Sequence, residues 1–297
     1  MRSVFCAMII ATFMIAVPVA AAQEQAAQHD EQSEITVTGT RDIEGQVRAF
    51  VTALTPAPAD GNIARLETSI CPRVFGALPE QNAKIEERLR RVAVAVGIPL
   101  GAPRCGANAL MIITQDKRTL IEALARRGNY FGDRITPSER RRLAQQPGPT
   151  AFWRLEGFLT AQGTVMGANA GEGVDYQQNT GRASRISTGT RLAVDGVILV
   201  VEARALDGLT TTQLADYAAM RLYGFADPAN LPASAGTILN ILDAEMDAEI
   251  PITMTLWDVS FLRALYASNK TLRSSAQRSE VSRRLLQELS RSSAAVK

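Results

Sequence analysis

Of the 297 residues only one is histidine, His29, and this removes most hydrolytic chemistry from the rest of the chain. A Ser-His-Asp relay or a histidine-bearing zinc site needs an imidazole, and none follows residue 29. No G-x-S-x-G or S-x-x-K pattern offers a serine nucleophile. Chemistry carried by carboxylates alone, as in glycoside hydrolysis, needs no histidine. Glu156, Glu172 and Glu202 are available for it, and their spacing selects no pair. Asp243, Glu245, Asp247 and Glu249 gather within "DAEMDAE", but the run lacks the length and the glycine of an EF-hand loop and reads as a solvated acidic turn. "GANAGEG" (167–173) has the glycines of a phosphate cradle without the following Lys-Ser/Thr, and reads as a surface loop. No metal and no cofactor are expected.

The cysteines must be read with the compartment. Arg2 precedes an apolar run from Val4 to Val17, and Ala20-Ala21-Ala22 then offers a small-residue cleavage site. This pattern predicts a secretory signal over residues 1–22, with cleavage near Ala22 and a periplasmic or secreted product. No later stretch approaches the length of about 20 apolar residues that a membrane helix requires. Cys6 leaves with the signal, and Cys71 and Cys105 remain. In an exported chain such a pair is expected as a disulfide closing a loop of about 35 residues; the alternative is two separate buried thiols. Neither cysteine is read as a nucleophile, because activation needs a base or cation held at the thiol. Formal charge is +2, without the basic footprint of a nucleic-acid-binding domain. Arg126-Arg127 and Arg140-Arg141-Arg142 read as solvated helix faces, with an anionic partner as the alternative.

These residues need a scaffold, and periodicity supplies one. Residues 23–33 are polar and aperiodic and are expected to be a disordered linker. "EITVTGTR" (34–41) alternates as an edge strand does, and resembles the start of the mature region of TonB-dependent receptors, whose barrels require a far longer chain. Helices are predicted over 42–54, 79–96, 116–128 and 138–146. In the second, Ile85, Leu89, Val92 and Val96 share one face. Strands are predicted near 63–71, 107–114 and 151–159. "RLAV-DG-VILVV" reads as two strands joined by a two-residue turn at Asp195-Gly196. Thr210 with Gln213 forms a capping box, Leu214, Ala218, Leu222 and Phe225 mark an apolar stripe, and Gly224 caps the end. Strands and helices mix without a regular β-α-β alternation. The expected class is therefore α+β, a mixed or antiparallel sheet with packed helices, in one domain from 34 to 297 with a helical part over about 209–291.

The order of three elements in the last third adds a resemblance. Gly224 and Asp227, then "TILN" (237–240), then "TLWDVSFLRALY" (255–266) with Thr255, Asp258, Leu262, Leu265 and Tyr266, together resemble the metzincin-type zinc proteases. They resemble more closely the uncharacterised exported bacterial proteins that share this layout. In that group the active helix reads H-E-x-x-H-x-x-G-x-x-H/D, and a Ser/Thr-Ile-Met turn lies beneath the metal. Registered on Gly224, Tyr217 and Arg221 stand at the two histidine positions, Ala218 at the glutamate base and Leu239 at the turn methionine. Asp227 alone keeps a ligand type. Catalytic zinc takes three protein ligands and an open position, so the resemblance implies a degenerate, zinc-free site. Arg221 is expected to fill the metal's place and pair with Asp227, with Tyr217 nearby. The alternative is an Arg221 pointing to solvent and an Asp227 that merely starts the turn before Pro228.

The function expected from these readings is non-catalytic binding, in the manner of a pseudo-protease, to a periplasmic or envelope partner. Two alternatives stand beside it: a carboxylate-based hydrolase of a periplasmic glycan, and a purely structural envelope protein.

Overall fold

The computed structural model describes residues 42–56, 61–128, 130–132, 134–160, 163, 165–166, 183–185, 187–231, 236–242 and 250–295. The signal segment, the 23–33 linker, the 34–41 strand, the 167–173 loop, Glu172 and the acidic 243–249 run lie outside them.

The apolar run around Asp195-Gly196 organises the sheet. It is a single strand, β5 (Thr190–Glu202), where the sequence suggests a hairpin. Its antiparallel neighbour β3 (Thr150–Thr160) shifts register between Leu155 and Glu156, which pair with Gly196 and Val194. Asp195 is therefore the extra residue of a β-bulge. A bulge and a two-residue turn share the same small polar composition. Gly196 suits the close approach, because a Cβ there would meet Leu155 Cδ1 at 3.1 Å.

Five strands line up in the order β1-β2-β5-β3-β4. β1 (Pro72–Phe75), β2 (Ala109–Thr114) and β5 run parallel, whereas β3 and the two-residue β4 (Val165–Met166) are antiparallel additions. β1 begins where the sequence places the end of a strand; residues 63–71 contribute only isolated bridges, Leu66 to Val194 and Ile70 to Leu100. One β-α-β unit is present after all, β1 and β2 joined by α2 (Pro79–Ala95). The mixed α+β class stands.

Alternate residues of β5 feed two cores, as the two-residue period of a strand requires. Val197, Leu199 and Val201 join the larger core, formed with α1 (Ile43–Leu54), α2, α5 (Thr211–Gly224), α6 (Leu256–Ala267) and α7 (Ser274–Ala295). Ile198 and Val200 join Ile121, Phe131, Ala144 and Trp153 beneath α3 (Lys117–Arg127) and α4 (Pro137–Gln145). A disulfide joins Cys71, next to β1, to Cys105, with Cα atoms 5.9 Å apart. Among the described residues no helix is long and apolar enough to cross a membrane.

Candidate functional site

α5 is buried on every side: each residue from Gln213 to Gly224 is buried. Its start is fixed by a reciprocal cap, Gln213 N–H donating to Thr210 Oγ1 at 3.1 Å and Thr210 N–H to Gln213 Oε1 at 3.0 Å. Such a helix keeps polar side chains only if each finds a partner. The Asp216 carboxylate receives Arg88 Nε at 2.7 Å, Thr253 Oγ1 at 2.6 Å and Met254 N–H at 2.9 Å. Tyr223 donates its hydroxyl to Leu89 O at 3.0 Å, and Tyr266 of α6 donates to Tyr223 O at 3.0 Å. Burial pushes both phenols well above the ordinary tyrosine range, so they serve as neutral donors.

The C-terminal end of α5 is where polar pairing becomes incomplete. Arg221, 4% exposed, donates Nη1–H to the Tyr217 hydroxyl at 3.0 Å. Its Cζ lies 5.2 Å from the centre of the Phe152 ring and 5.8 Å from that of Tyr217. Nε is buried without a hydrogen-bond partner, and among the described residues no carboxylate forms an ion pair with this guanidinium. The contacts run on: Phe152 lies 6.2 Å from Phe225, Arg154 Cζ stands 5.3 Å from the Phe225 ring, and Arg154 Nη2 approaches Glu156 Oε1 to 2.7 Å. That last contact is an ion pair by distance, off the hydrogen-bonding direction. A ladder of cations and rings thus links the helix to β3.

The expected Arg221–Asp227 pair does not form. Asp227 Oδ1 instead accepts Ala229 N–H at 3.1 Å and caps the short turn Pro228–Asn230. The cap also differs from expectation. Gly224 ends the helix proper, and Phe225 takes the left-handed position with φ of 53°. A large side chain there costs on the order of 1–2 kcal/mol. Gly224 is small for another reason: a Cβ would meet Leu262 Cδ2 at 3.1 Å and Phe261 Cε1 at 3.2 Å, both on α6.

The other two segments singled out in the sequence lie against this end of the molecule. Asp258, at the third position of α6, accepts Thr237 Oγ1–H at 2.5 Å, Ile238 N–H at 3.0 Å and Thr255 N–H at 2.8 Å. It clamps the turn at 237–240 onto the start of α6, with Leu239 fully buried. Burial pushes the Asp258 carboxyl up from the ordinary range, and the donors from Thr237, Ile238 and Thr255 pull against that shift.

Beside the ladder lies a cleft of about 670 Å³, lined by Phe152, Arg154 and Glu156 of β3, by Phe225 and Asp227 after α5, and by Arg142 of α4 among others. β4 pairs only with Phe158 and Leu159, so β3 from Thr150 to Gly157 has no partner strand on its outer edge among the described residues. Of the carboxylates singled out, Glu156 is in the cleft. Glu202 is not: its Oε1 accepts Lys117 N–H at 3.1 Å, and its Oε2 pairs with Arg204 at 2.7 Å. Among the described residues no group of three or more His, Cys, Asp or Glu is placed to hold a metal ion.

Phe152, Arg154 and Phe225 are the residues that sequence reasoning missed as a site. The first two alternate on β3, as same-face residues do. Their meeting with Phe225 depends on the end of α5, which no local pattern announces.

Fold and site together define a mixed α+β protein with an aromatic–arginine cleft at the end of its most buried helix. Compared with known proteins, the chain matches no family model, no curated protein and no solved structure.

Proposed function

We propose that this is an exported, non-catalytic binding protein whose C-terminal half is zincin-like and has lost its zinc ligands. The observation that carries the reading is the Tyr217–Arg221 pair, hydrogen-bonded at 3.0 Å and packed under Phe152 beside the cleft, at the two positions that the register assigns to histidine ligands. The Asp258 clamp on the 237–240 turn supports the same register. A cationic, aromatic floor and an unpaired strand edge suit an extended peptide, which adds its backbone to such an edge and sets its side chains in neighbouring pockets. Purified protein is expected to contain no stoichiometric zinc, to leave casein intact, and to unfold at a higher temperature with extended peptides from envelope proteins. Arg154→Ala is expected to weaken that shift. About one tightly held zinc per chain, or cleavage of casein, overturns the reading.

A second reading has one observation in its favour, the presence of Glu156 and Asp227 in the same cleft. Two carboxyls across a scissile bond suffice for glycoside hydrolysis. Release of new reducing ends from peptidoglycan strands by the native protein, abolished in Glu156→Gln, selects it over peptide binding.

A further inference from the structure

The charge of this chain is distributed unevenly. From Asp116 to Arg142 eight Lys/Arg face four Asp/Glu, which leaves 24 against 26 in the rest of the sequence. That excess sits on α3, α4 and their connection, the layer that covers one face of the sheet, while α2, α5 and the other helices lie on the opposite face. Lys117 does not contribute to the outer surface; its Nζ donates into a cage of carbonyls that includes Gln146 O at 2.5 Å and Thr150 O at 3.2 Å. The outward cations are all arginine. Arg118 and Arg142 have acidic neighbours within their own helices, Glu122 at 3.1 Å and Glu139 at 3.7 Å. Arg126, Arg127, Arg134 and Arg141 are exposed and take part in no ion pair among the described residues.

Two further features belong to the same face. Tyr130 in the α3–α4 connection is 44% exposed. Between the helices runs a groove of about 300 Å³ with Arg118, Arg140 and Arg141 on its walls and Ile121 and Ala144 on its floor. Unpaired guanidinia suit phosphate because their planar fork donates two parallel hydrogen bonds. An exposed tyrosine among them is a side chain that settles at the boundary between headgroups and acyl chains. A soluble polyanion would use the arginines and leave the ring without a role.

We propose that the α3–α4 face docks the protein onto an anionic phospholipid surface, with the guanidinia on headgroup phosphates and Tyr130 at the interface. The proposal does not rest on what the cleft binds, although Arg134 and Arg142 line the cleft as well. It concerns peripheral attachment, strengthened by each basic residue held near the surface and weakened by salt.

The test is co-sedimentation of the purified protein with vesicles of phosphatidylcholine, with and without phosphatidylglycerol. Binding is expected only with phosphatidylglycerol, and is expected to fall as salt rises. Arg126→Gln, Arg127→Gln and Arg141→Gln together should weaken it about a hundredfold, on the order of fivefold per charge removed. Lys84→Gln with Arg91→Gln, a neutralised pair on exposed α2, should leave it nearly unchanged. Tyr130→Ser should weaken binding without any change of charge, and unfolding temperatures of all variants should stay near that of the native protein. Absence of binding to phosphatidylglycerol vesicles at low salt overturns the proposal, as does equal loss in the α2 variant. Retention on heparin without vesicle binding also overturns it, in favour of a soluble polyanion.

Discussion

Replacing Arg221 with methionine should leave the protein folded and make it more stable. The guanidinium is 4% exposed and faces no carboxylate among the described residues. Taking a cation out of water costs several kcal/mol even after relaxation. Against this stand one hydrogen bond from a charged donor to Tyr217, about 1.5–3 kcal/mol, and two ring contacts, each roughly 1–2 kcal/mol when desolvated. These terms roughly cancel. Methionine at the same place adds the burial of an apolar side chain, about 1.5–3 kcal/mol. The expected gain is about 2 kcal/mol, or roughly 4–8 °C in Tm for a chain of this size. Thermal and urea unfolding of Arg221→Met read it directly. Tyr217→Phe supplies the second arm: it should cost about 1 kcal/mol more in the native background than in the Arg221→Met background, since only the former loses a donor's acceptor. A loss of more than 1 kcal/mol on Arg221→Met, or strict additivity of the two changes, refutes the reasoning. In that event the buried cation stabilises the fold instead of being tolerated by it.

Intact mass under alkylation should show the Cys71 and Cys105 thiols only after reduction, and the Cys71→Ala, Cys105→Ala variant should lose about 3–4 kcal/mol in urea unfolding. Asp258→Ala removes the common acceptor for Thr237, Ile238 and Thr255. It should cost about 3–4 kcal/mol, with amide exchange accelerated first at 237–240. Glu67 gives a pH signature: burial alone would raise its pKa, but Arg191 at 2.7 Å and Lys270 at 2.8 Å hold it below the ordinary 4.5. Because the folded value is depressed, its contribution is present above pH 4.5 and is lost as pH falls through the folded value. Glu67→Gln should therefore be less stable than the native protein at neutral pH, by about 3 kcal/mol, and the gap should close in acid.

The helices were legible because a 3.6-residue stripe is a local signal: Ile85, Leu89 and Val92 of α2 are all buried, as their spacing requires. The sheet was less so. Asp195-Gly196 has the composition of a turn, and only the long antiparallel partner β3 turns it into a bulge within one strand. Residues 63–71 are apolar enough for a strand, yet they bury Ile63, Leu66 and Ile70 with isolated bridges alone. At the site, register on Gly224 picked out Tyr217 and Arg221, which do bond to each other. It also matched Arg221 to Asp227, and that failed because Pro228 follows the aspartate and a short turn claims its carboxylate. Electrostatic complementarity along a sequence says nothing about which nearer backbone donor will take an acceptor.

Imperfect chemistry on α5 gathers at its C-terminal end, the site proposed above to bind. Elsewhere on this helix each polar group has an answer: Asp216 meets several donors, Gln213 closes the cap and also donates to Pro251 O at 3.0 Å, and Tyr223 finds a carbonyl. Among the described residues three buried side-chain polar atoms have no hydrogen-bond partner, Glu156 Oε1, Arg221 Nε and Ser260 Oγ. The first two belong to the ladder. So does Phe225, one of two non-glycine residues with positive φ among the described residues. Glu156 Oε1 is compensated by Arg154 at 2.7 Å, but Arg221 Nε is not. An uncompensated polar atom and a strained backbone each lower stability, and a sequence under selection for stability alone sheds them by ordinary substitution. Their concentration in one run of contacts, beside a cleft and an edge of β3 unpaired among the described residues, is the pattern expected where local rules yield to a function. Ser260, on α6 and outside the ladder, has no such context.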